Sequence, residues 1–273
     1  MRCAVLGDPI EHSLSPVLHR AAYRALGLDW TYDAVRVPSG SLGRFLDGRD
    51  ESWRGLSLTM PLKREVMPLL TSRDPWAERS GAANTVLLDA DGRHGLNTDV
   101  PGAIAAIREA SGAPVDRALV LGGGATATSA VLALAELGCG TVTLLVRDPA
   151  RAQETVDIAT RGRHRPVVRV ERLDDLDAVR ARDADILVST VPARAQSQQV
   201  ISATAGVPVV FDVLYDPWPT PLLAAARADG RTVVTGLDLL LWQAVDQVRA
   251  MTGRFDVPVD TMREAGFQAV RTS

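Results

Sequence analysis

The chain has 273 residues, 46% of them hydrophobic, which is enough for two modest domains with cores of their own. Its formal net charge of −3 and pI of about 5.8 leave no electrostatic footprint for nucleic acid. Two cysteines, Cys3 and Cys139, are too few for a disulfide framework or a metal cluster, and they read as reduced thiols of a cytoplasmic protein.

The chain opens MRCAVLG, an apolar run too short before Asp8 to act as a signal peptide. Arg2 to Leu6 reads as a strand. A helix follows from Pro16 to Leu26, with Ser15 as its cap and Pro at its first position. Trp30 to Val37 reads as a second strand and Ser41 to Leu46 as a short helix. Gly55 to Leu58 is a buried strand, followed by the turn Thr59-Met60-Pro61 and a helix from about Lys63. Ala83 to Leu88 is a further strand, after which Gly92 turns the chain into His94-Gly95-Leu96. Asn97-Thr98-Asp99 leads into a helix from about Pro101 to Ala110. Ser111 to Pro114 is loop-like and lies near a domain boundary.

The middle of the chain is regular βα. Strands are expected at Ala118–Leu121, Thr141–Val146, Val167–Val170, Ile186–Ser189 and Val209–Phe211, and a last one at Thr232–Val234. Runs such as Val-Thr-Leu-Leu-Val are apolar on both faces, as a parallel sheet covered by helices requires. Gly236-Leu237-Asp238 starts a long amphipathic helix to about Met251, and a helical tail runs from Thr261. Ala118 to Ala135 carries no charge, but its glycines and its Thr and Ser residues argue for strand, turn and helix over a membrane span.

That turn carries chemistry. Gly122-x-Gly124-x-x-Ala127 has the spacing of a dinucleotide fingerprint between a strand and a helix. The first glycine allows the tight turn, the second lets backbone approach a pyrophosphate, and the small third residue lets helix and strand pack closely. Free N–H groups at the helix start can hold the phosphates. No Gly-Lys-Ser/Thr follows, so a Walker loop is excluded. After the second strand of this unit Arg147 comes first and Arg151 follows one turn on, a pair suited to a 2′-phosphate. Asp148 between them would instead bind ribose hydroxyls or repel a phosphate. The four histidines show no metal-ligand spacing, and no Gly-x-Ser-x-Gly elbow for a serine hydrolase exists.

Polar clusters also follow the strands of the first third: His12-Ser13-Leu14-Ser15-Pro16, Thr59-Met60-Pro61-Leu62-Lys63, Gly81-Ala82-Ala83-Asn84-Thr85 and Asn97-Thr98-Asp99. With the glycine loop, the stretch Asp212 to Pro221 including Tyr215, and Gly236 to Gln243, the chain resembles the shikimate dehydrogenase family over nearly its whole length. The resemblance implies two α/β domains: an N-terminal substrate domain (1–102) and a Rossmann-like dinucleotide-binding domain (103–236), with C-terminal helices (237–273) returning to the first. It implies reversible NADPH-dependent reduction of 3-dehydroshikimate to shikimate, with no nucleic-acid or membrane partner, by a monomer or homodimer. Lys63 and Asp99 would be the catalytic pair. Ser13, Ser15, Ser57, Thr59, Asn84, Tyr215 and Gln243 would hold the substrate. Gly122, Gly123, Gly124, Ala125, Arg147, Arg151, Thr190, Val213 and Gly236 would hold NADP, and no metal is implied.

The chain departs from the family pattern at Ser57, where Asn is frequent, and at Ala125 and Thr128, where Gly and Arg are common. It departs again at Val100-Pro101, in place of a glycine pair, and at Val146-Arg147-Asp148, in place of Asn-Arg-Thr. An NAD-dependent quinate/shikimate dehydrogenase is the nearest rival, and Ser15 favours shikimate over it. A non-catalytic nucleotide-sensing regulator on the same fold is a second rival, and the presence of both Lys63 and Asp99 argues against it.

Residue chemistry gives the same groups work to do. An alcohol that loses hydride must also lose its proton to a group within hydrogen-bond reach. Lys63 at a helix start sits against the dipole, and a carboxylate such as Asp99 would orient it. Each residue also has a plain alternative. Lys63 could be a surface lysine, Asp99 a helix cap, Ser15 only a cap, Gln243 a core-edge amide, and the two arginines a solvated face.

Overall fold

The computed structural model describes residues 1–178 and 183–272, and these form two compact units: Met1–Asp99 with Leu240–Ser273, and Val100–Leu239.

The first unit is built on a six-stranded mixed sheet. In chain order its elements are β1 (Arg2–Gly7), α1 (Ser15–Ala25), β2 (Thr31–Arg36), α2 (Leu42–Asp47), β3 (Trp53–Leu58), α3 (Leu62–Glu65), β4 (Ser72–Arg73), α4 (Pro75–Ser80), β5 (Thr85–Asp89) and β6 (Gly92–Leu96). The sheet order is β2-β1-β3-β5-β6-β4. β1 pairs in parallel with both β2 and β3, and β5 turns back antiparallel against β3 and β6. Ala4, Leu6, Leu56, Leu58 and Val86 project from these strands into a core closed by Leu42, Leu46, Leu62 and Val66. Burial of that apolar surface drives the unit together.

The expected cap on α1 differs. Ser15 is the first helical residue, and Leu14 precedes it with no side-chain cap. The Ser15 N–H instead reaches back to the Ser13 Oγ at 3.4 Å. α3 is a single turn, too short to carry much of a dipole against Lys63.

The second unit holds α5 (Asp99–Ala110, whose first residue still belongs to the first unit), β7 (Arg117–Leu121), α6 (Ala125–Glu136), β8 (Thr141–Val146), α7 (Gln153–Ala159), β9 (Val167–Arg172), β10 (Ile186–Ser189), α8 (Gln198–Ala203), β11 (Val209–Asp212), α9 (Pro221–Ala228) and β12 (Thr232–Val234). Every pairing in its sheet is parallel, and the order β9-β8-β7-β10-β11-β12 is that of a doubly wound dinucleotide fold. The strand order reverses between β7 and β10, and a crevice opens at the carboxyl ends of strands at such a point. Leu119, Leu121, Leu187, Val210, Leu222 and Leu223 make up much of the core on one face.

α10 (Gly236–Thr252) starts in the second unit and ends in the first, where α11 (Val259–Thr272) packs along α1.

Candidate active site

In the first unit, the loops after β3 and before β5, the start of α5 and the middle of α10 bring a set of polar side chains together. Lys63 Nζ donates to Asp99 Oδ2 at 2.6 Å. The pair is partly shielded, with side-chain exposures of 15% and 8%. The other carboxylate oxygen, Asp99 Oδ1, accepts from Asn84 Nδ2 at 2.9 Å. The Asp99 backbone N–H donates to Asn97 Oδ1 at 3.0 Å, which ties the carboxylate to its own loop. Both carboxylate oxygens therefore have donors, and the lysine is aimed by the one it meets.

Asn84 is the hub. It is buried beside the start of β5, so its amide must be satisfied internally. Its Oδ1 accepts from the Thr98 backbone N–H at 2.9 Å and the Thr85 hydroxyl at 2.9 Å. Its Nδ2 also donates to Gln243 Oε1 at 3.0 Å. Lys63, Asn84, Asp99 and Gln243 thus form one connected cluster within the unit.

Ser15 is buried, and its hydroxyl meets the phenol of Tyr32. Burial pushes the Tyr32 hydroxyl far above its ordinary range, so it stays a neutral donor. It donates to Ser57 Oγ at 2.6 Å, and Ser57 Oγ donates onward to Gln247 Oε1 at 2.9 Å. The family resemblance implies Ser57 as a substrate-binding residue. In the structure its single proton is committed to Gln247, and the residue is buried. Ser13 and Thr59 are half-buried at the edges of the same unit. Tyr215 lies in the second unit, after β11.

Sequence reasoning passed over Tyr32 and Gln247, and it gave no role to Thr85 and Thr98 although both stand in its polar clusters. For Gln247 a signal was present: two glutamines four residues apart share one face of the amphipathic helix α10.

In the second unit the glycine loop crosses from β7 to α6. Gly122 has φ +109°, a conformation that suits glycine, and a Cβ there would stand 2.3 Å from Thr190 Oγ1. Thr190 in turn donates to the Leu121 carbonyl at 2.8 Å, so the end of β10 is sewn to the loop across the switch point. Gly124 precedes α6, no side chain caps that helix, and a Cβ at Gly124 would meet nothing within 4 Å. The result is an open cradle beside the first N–H groups of a twelve-residue helix.

Thr128, where the family commonly has arginine, braces the loop from behind. Its hydroxyl meets the Gly124 carbonyl at 3.2 Å and Thr155 Oγ1 at 2.8 Å. Gly236 lies against the backbone of Val213 and Leu214, where a Cβ would come within 2.4 Å of Val213 O.

Arg147 and Arg151 are exposed, and neither makes an ion pair among the described residues. Asp148 Oδ1 accepts from the Ala150 N–H at 3.1 Å and caps the turn Pro149–Ala152. One carboxylate oxygen is therefore turned onto its own backbone. Among the described residues no group of His, Cys, Asp and Glu could hold a metal ion, and no helix is long and apolar enough to cross a membrane.

Comparison with known proteins supplies the context for this geometry. The model for the shikimate dehydrogenase substrate binding domain matches residues 5–86, and that for the shikimate 5′-dehydrogenase C-terminal domain matches 236–265. The chain is similar to a shikimate dehydrogenase (NADP(+)) from Moorella thermoacetica, with 36% identity over 95% of this chain and 90% of the relative. Among solved structures it is similar to shikimate 5-dehydrogenase from Thermus thermophilus in complex with NADP(H) and shikimate, with 33% identity, 98% and 99% of the two chains covered and a TM-score of 0.87. Quinate dehydrogenase from Corynebacterium glutamicum in complex with NAD is as close in fold, with 30% identity, the same coverage of 98% and 99%, and a TM-score of 0.88.

Proposed function

The chain belongs to the shikimate dehydrogenase family, and we propose that it catalyses the reversible, NADPH-dependent reduction of 3-dehydroshikimate to shikimate, a step of aromatic amino-acid biosynthesis. One observation carries the assignment of the chemistry: Lys63 Nζ is held at 2.6 Å by a carboxylate whose other oxygen is fixed by Asn84. NADP, when bound, supplies or takes the hydride. The protein must handle the proton. In reduction, Lys63 gives a proton to the carbonyl oxygen of the substrate; in oxidation, it takes the proton of the alcohol. Asp99 keeps Nζ in one position through both directions.

Around this pair, Ser13, Ser15, Thr59, Asn84 and Gln243 are assigned to the hydroxyl and carboxylate groups of the substrate, with Ser57 supporting them from behind; Tyr215, in the second unit, is a further proposed substrate residue. The residues present fit the dinucleotide. The open cradle at Gly124 and the unpaired N–H groups of α6 suit a pyrophosphate. Gly122, Gly123 and Ala125 shape that loop, while Thr190, Val213 and Gly236 line its far side. Arg147 and Arg151 have no internal ion pair to give up, and Asp148 is spent partly on Ala150, which favours the 2′-phosphate of NADP over a bare ribose. Two free cysteines fit a cytoplasmic enzyme, acting as a monomer or homodimer.

The test is an assay of the purified protein with shikimate or quinate and with NADP⁺ or NAD⁺, following reduced nicotinamide. The highest kcat/KM is expected for shikimate with NADP⁺. A higher value for quinate with NAD⁺ would transfer the assignment to the quinate enzyme. Binding without turnover in all four combinations would favour a regulator.

A further inference from the structure

Asparagine and glutamine amides have two ends of opposite hydrogen-bonding sense, and their orientation follows from the network around them. Here the network has an unambiguous starting point. The Thr98 backbone N–H can only donate, and it meets the Asn84 side chain at 2.9 Å, so that atom is the oxygen. The other end of Asn84 is then NH₂, and its contact on Gln243 at 3.0 Å must be the Gln243 oxygen. Gln247 meets that same oxygen at 3.1 Å, so Gln247 presents its nitrogen there. Its opposite end is the oxygen that accepts the Ser57 proton at 2.9 Å, while Ser57 itself accepts from Tyr32 at 2.6 Å. The Gln247 nitrogen also reaches Thr85 Oγ1 at 3.0 Å. Every step agrees in sense from Thr98 to Tyr32.

Gln243 Oε1 thus receives two donors, one from Asn84 and one from Gln247, which fills its two lone pairs. Its Nε2 has no partner among the described residues, and Gln243 keeps 8% of its surface exposed. Gln247 is wholly buried and has no surface to offer a ligand. We propose that Gln247 is a positioning residue: it locks the Gln243 amide so that the NH₂ end faces the substrate as a donor to a hydroxyl or carboxylate oxygen. This rests on the assignment of Gln243 to the substrate.

With the Gln247 donor gone, Gln243 keeps one of its two anchors, and its amide can rotate to offer an oxygen to an oxygen of the ligand. An unlocked side chain binds less well, while the lysine and its carboxylate stay in place. Steady-state kinetics of Gln247→Met, Gln247→Glu, Gln243→Ala and the Gln243→Ala/Gln247→Met double variant test this in the full enzyme, with thermal melting as the folding control. Gln247→Met should raise the KM for shikimate by about tenfold, the value of one hydrogen bond, with kcat and the NADP⁺ KM within about twofold. Gln247→Glu is nearly isosteric and puts an oxygen against Gln243 Oε1, so it should raise that KM further. The double variant should match Gln243→Ala alone, because the effect of residue 247 passes through residue 243.

A raised KM in Gln243→Ala with unchanged KM in both Gln247 variants would overturn the positioning role and leave the Gln243 contact standing. Effects that multiply in the double variant would also overturn it. An unchanged KM in Gln243→Ala would remove the contact and the positioning role together. If Gln247→Met does not fold, Gln247→Glu carries the test by the same criteria.

Discussion

Replacing Asp99 with asparagine changes one oxygen for an NH₂ group and little else. The structure gives that atom nowhere to go. Placed at Oδ2, it faces Lys63 Nζ, which stands 2.6 Å away and can only donate. Placed at Oδ1, it faces Asn84 Nδ2 at 2.9 Å, another donor. The first arrangement loses a charge-assisted bond worth about 1.5–3 kcal/mol, and both leave a buried donor without an acceptor at about 1–3 kcal/mol. Lys63 retains 15% exposure, so water offsets part of this, and a net destabilisation of about 3 kcal/mol is expected. The catalytic loss should be larger than a stability effect alone, because Lys63 no longer has a fixed position. We expect kcat to fall by roughly 10² to 10³, which is the range of losing an oriented acid–base group. The assay is kcat at saturating shikimate and NADP⁺, with the folded fraction measured by urea titration of the same sample. If Asp99→Asn stays folded and keeps more than half of wild-type kcat, the carboxylate does not orient the lysine.

Burial holds the His19 imidazole down at about 4, against an ordinary value of 6.5. Between those values the unfolded chain takes a proton that the native state refuses, so stability falls as pH drops from 6.5 to 4, by about 3 kcal/mol in all. Asp74, Asp212 and Asp246 are raised by burial and act in the opposite sense, so the comparison of urea titrations in wild type and His19→Phe isolates the histidine. The variant should show the shallower acid slope, and equal slopes would refute the reading. Gly122→Ala and Gly124→Ala should separate in a binding titration and a thermal melt. The first meets Thr190 Oγ1 at 2.3 Å from a φ of +109° and should lose stability, whereas the second meets nothing within 4 Å and should lose NADP⁺ affinity with its melting temperature unchanged. Arg147→Ala should raise the NADP⁺ KM roughly tenfold with little change for NAD⁺, an effect that shrinks at high salt. Asp148→Ser should shift preference further towards NADP⁺, and a wild-type preference for NAD⁺ that this change abolishes would show that the acid reads the ribose.

The strands of the second unit were legible because a sheet covered on both faces needs continuous apolar runs, and Thr141–Val146 and Ile186–Ser189 are such runs. β4 was not legible: it is two exposed residues, Ser72 and Arg73, with no hydrophobic pattern to read. α4 is short and polar on its outer face, yet its signals were present, with Asp74 capping it through the Ala77 N–H and Gly81 ending it at φ +64°. In the site, Lys63, Asn84, Asp99 and Gln243 stand in motifs and could be named. Tyr32, Ser57 and Gln247 form a chain of bonds across residues 25 and 190 positions apart, and no local pattern encodes a contact of that range. The direction of each amide lay further out of reach, since it depends on which neighbour can only donate.

Lys63 is the residue proposed to move the proton. Its direct test is Lys63→Ala, assayed for kcat and for the KM of shikimate in protein shown to be folded and to bind NADP⁺. In that variant kcat should be lower by roughly 10² or more with the shikimate KM little changed, because the lost group acts on the transition state and not on binding. Turnover near the wild-type rate in that variant would contradict that role.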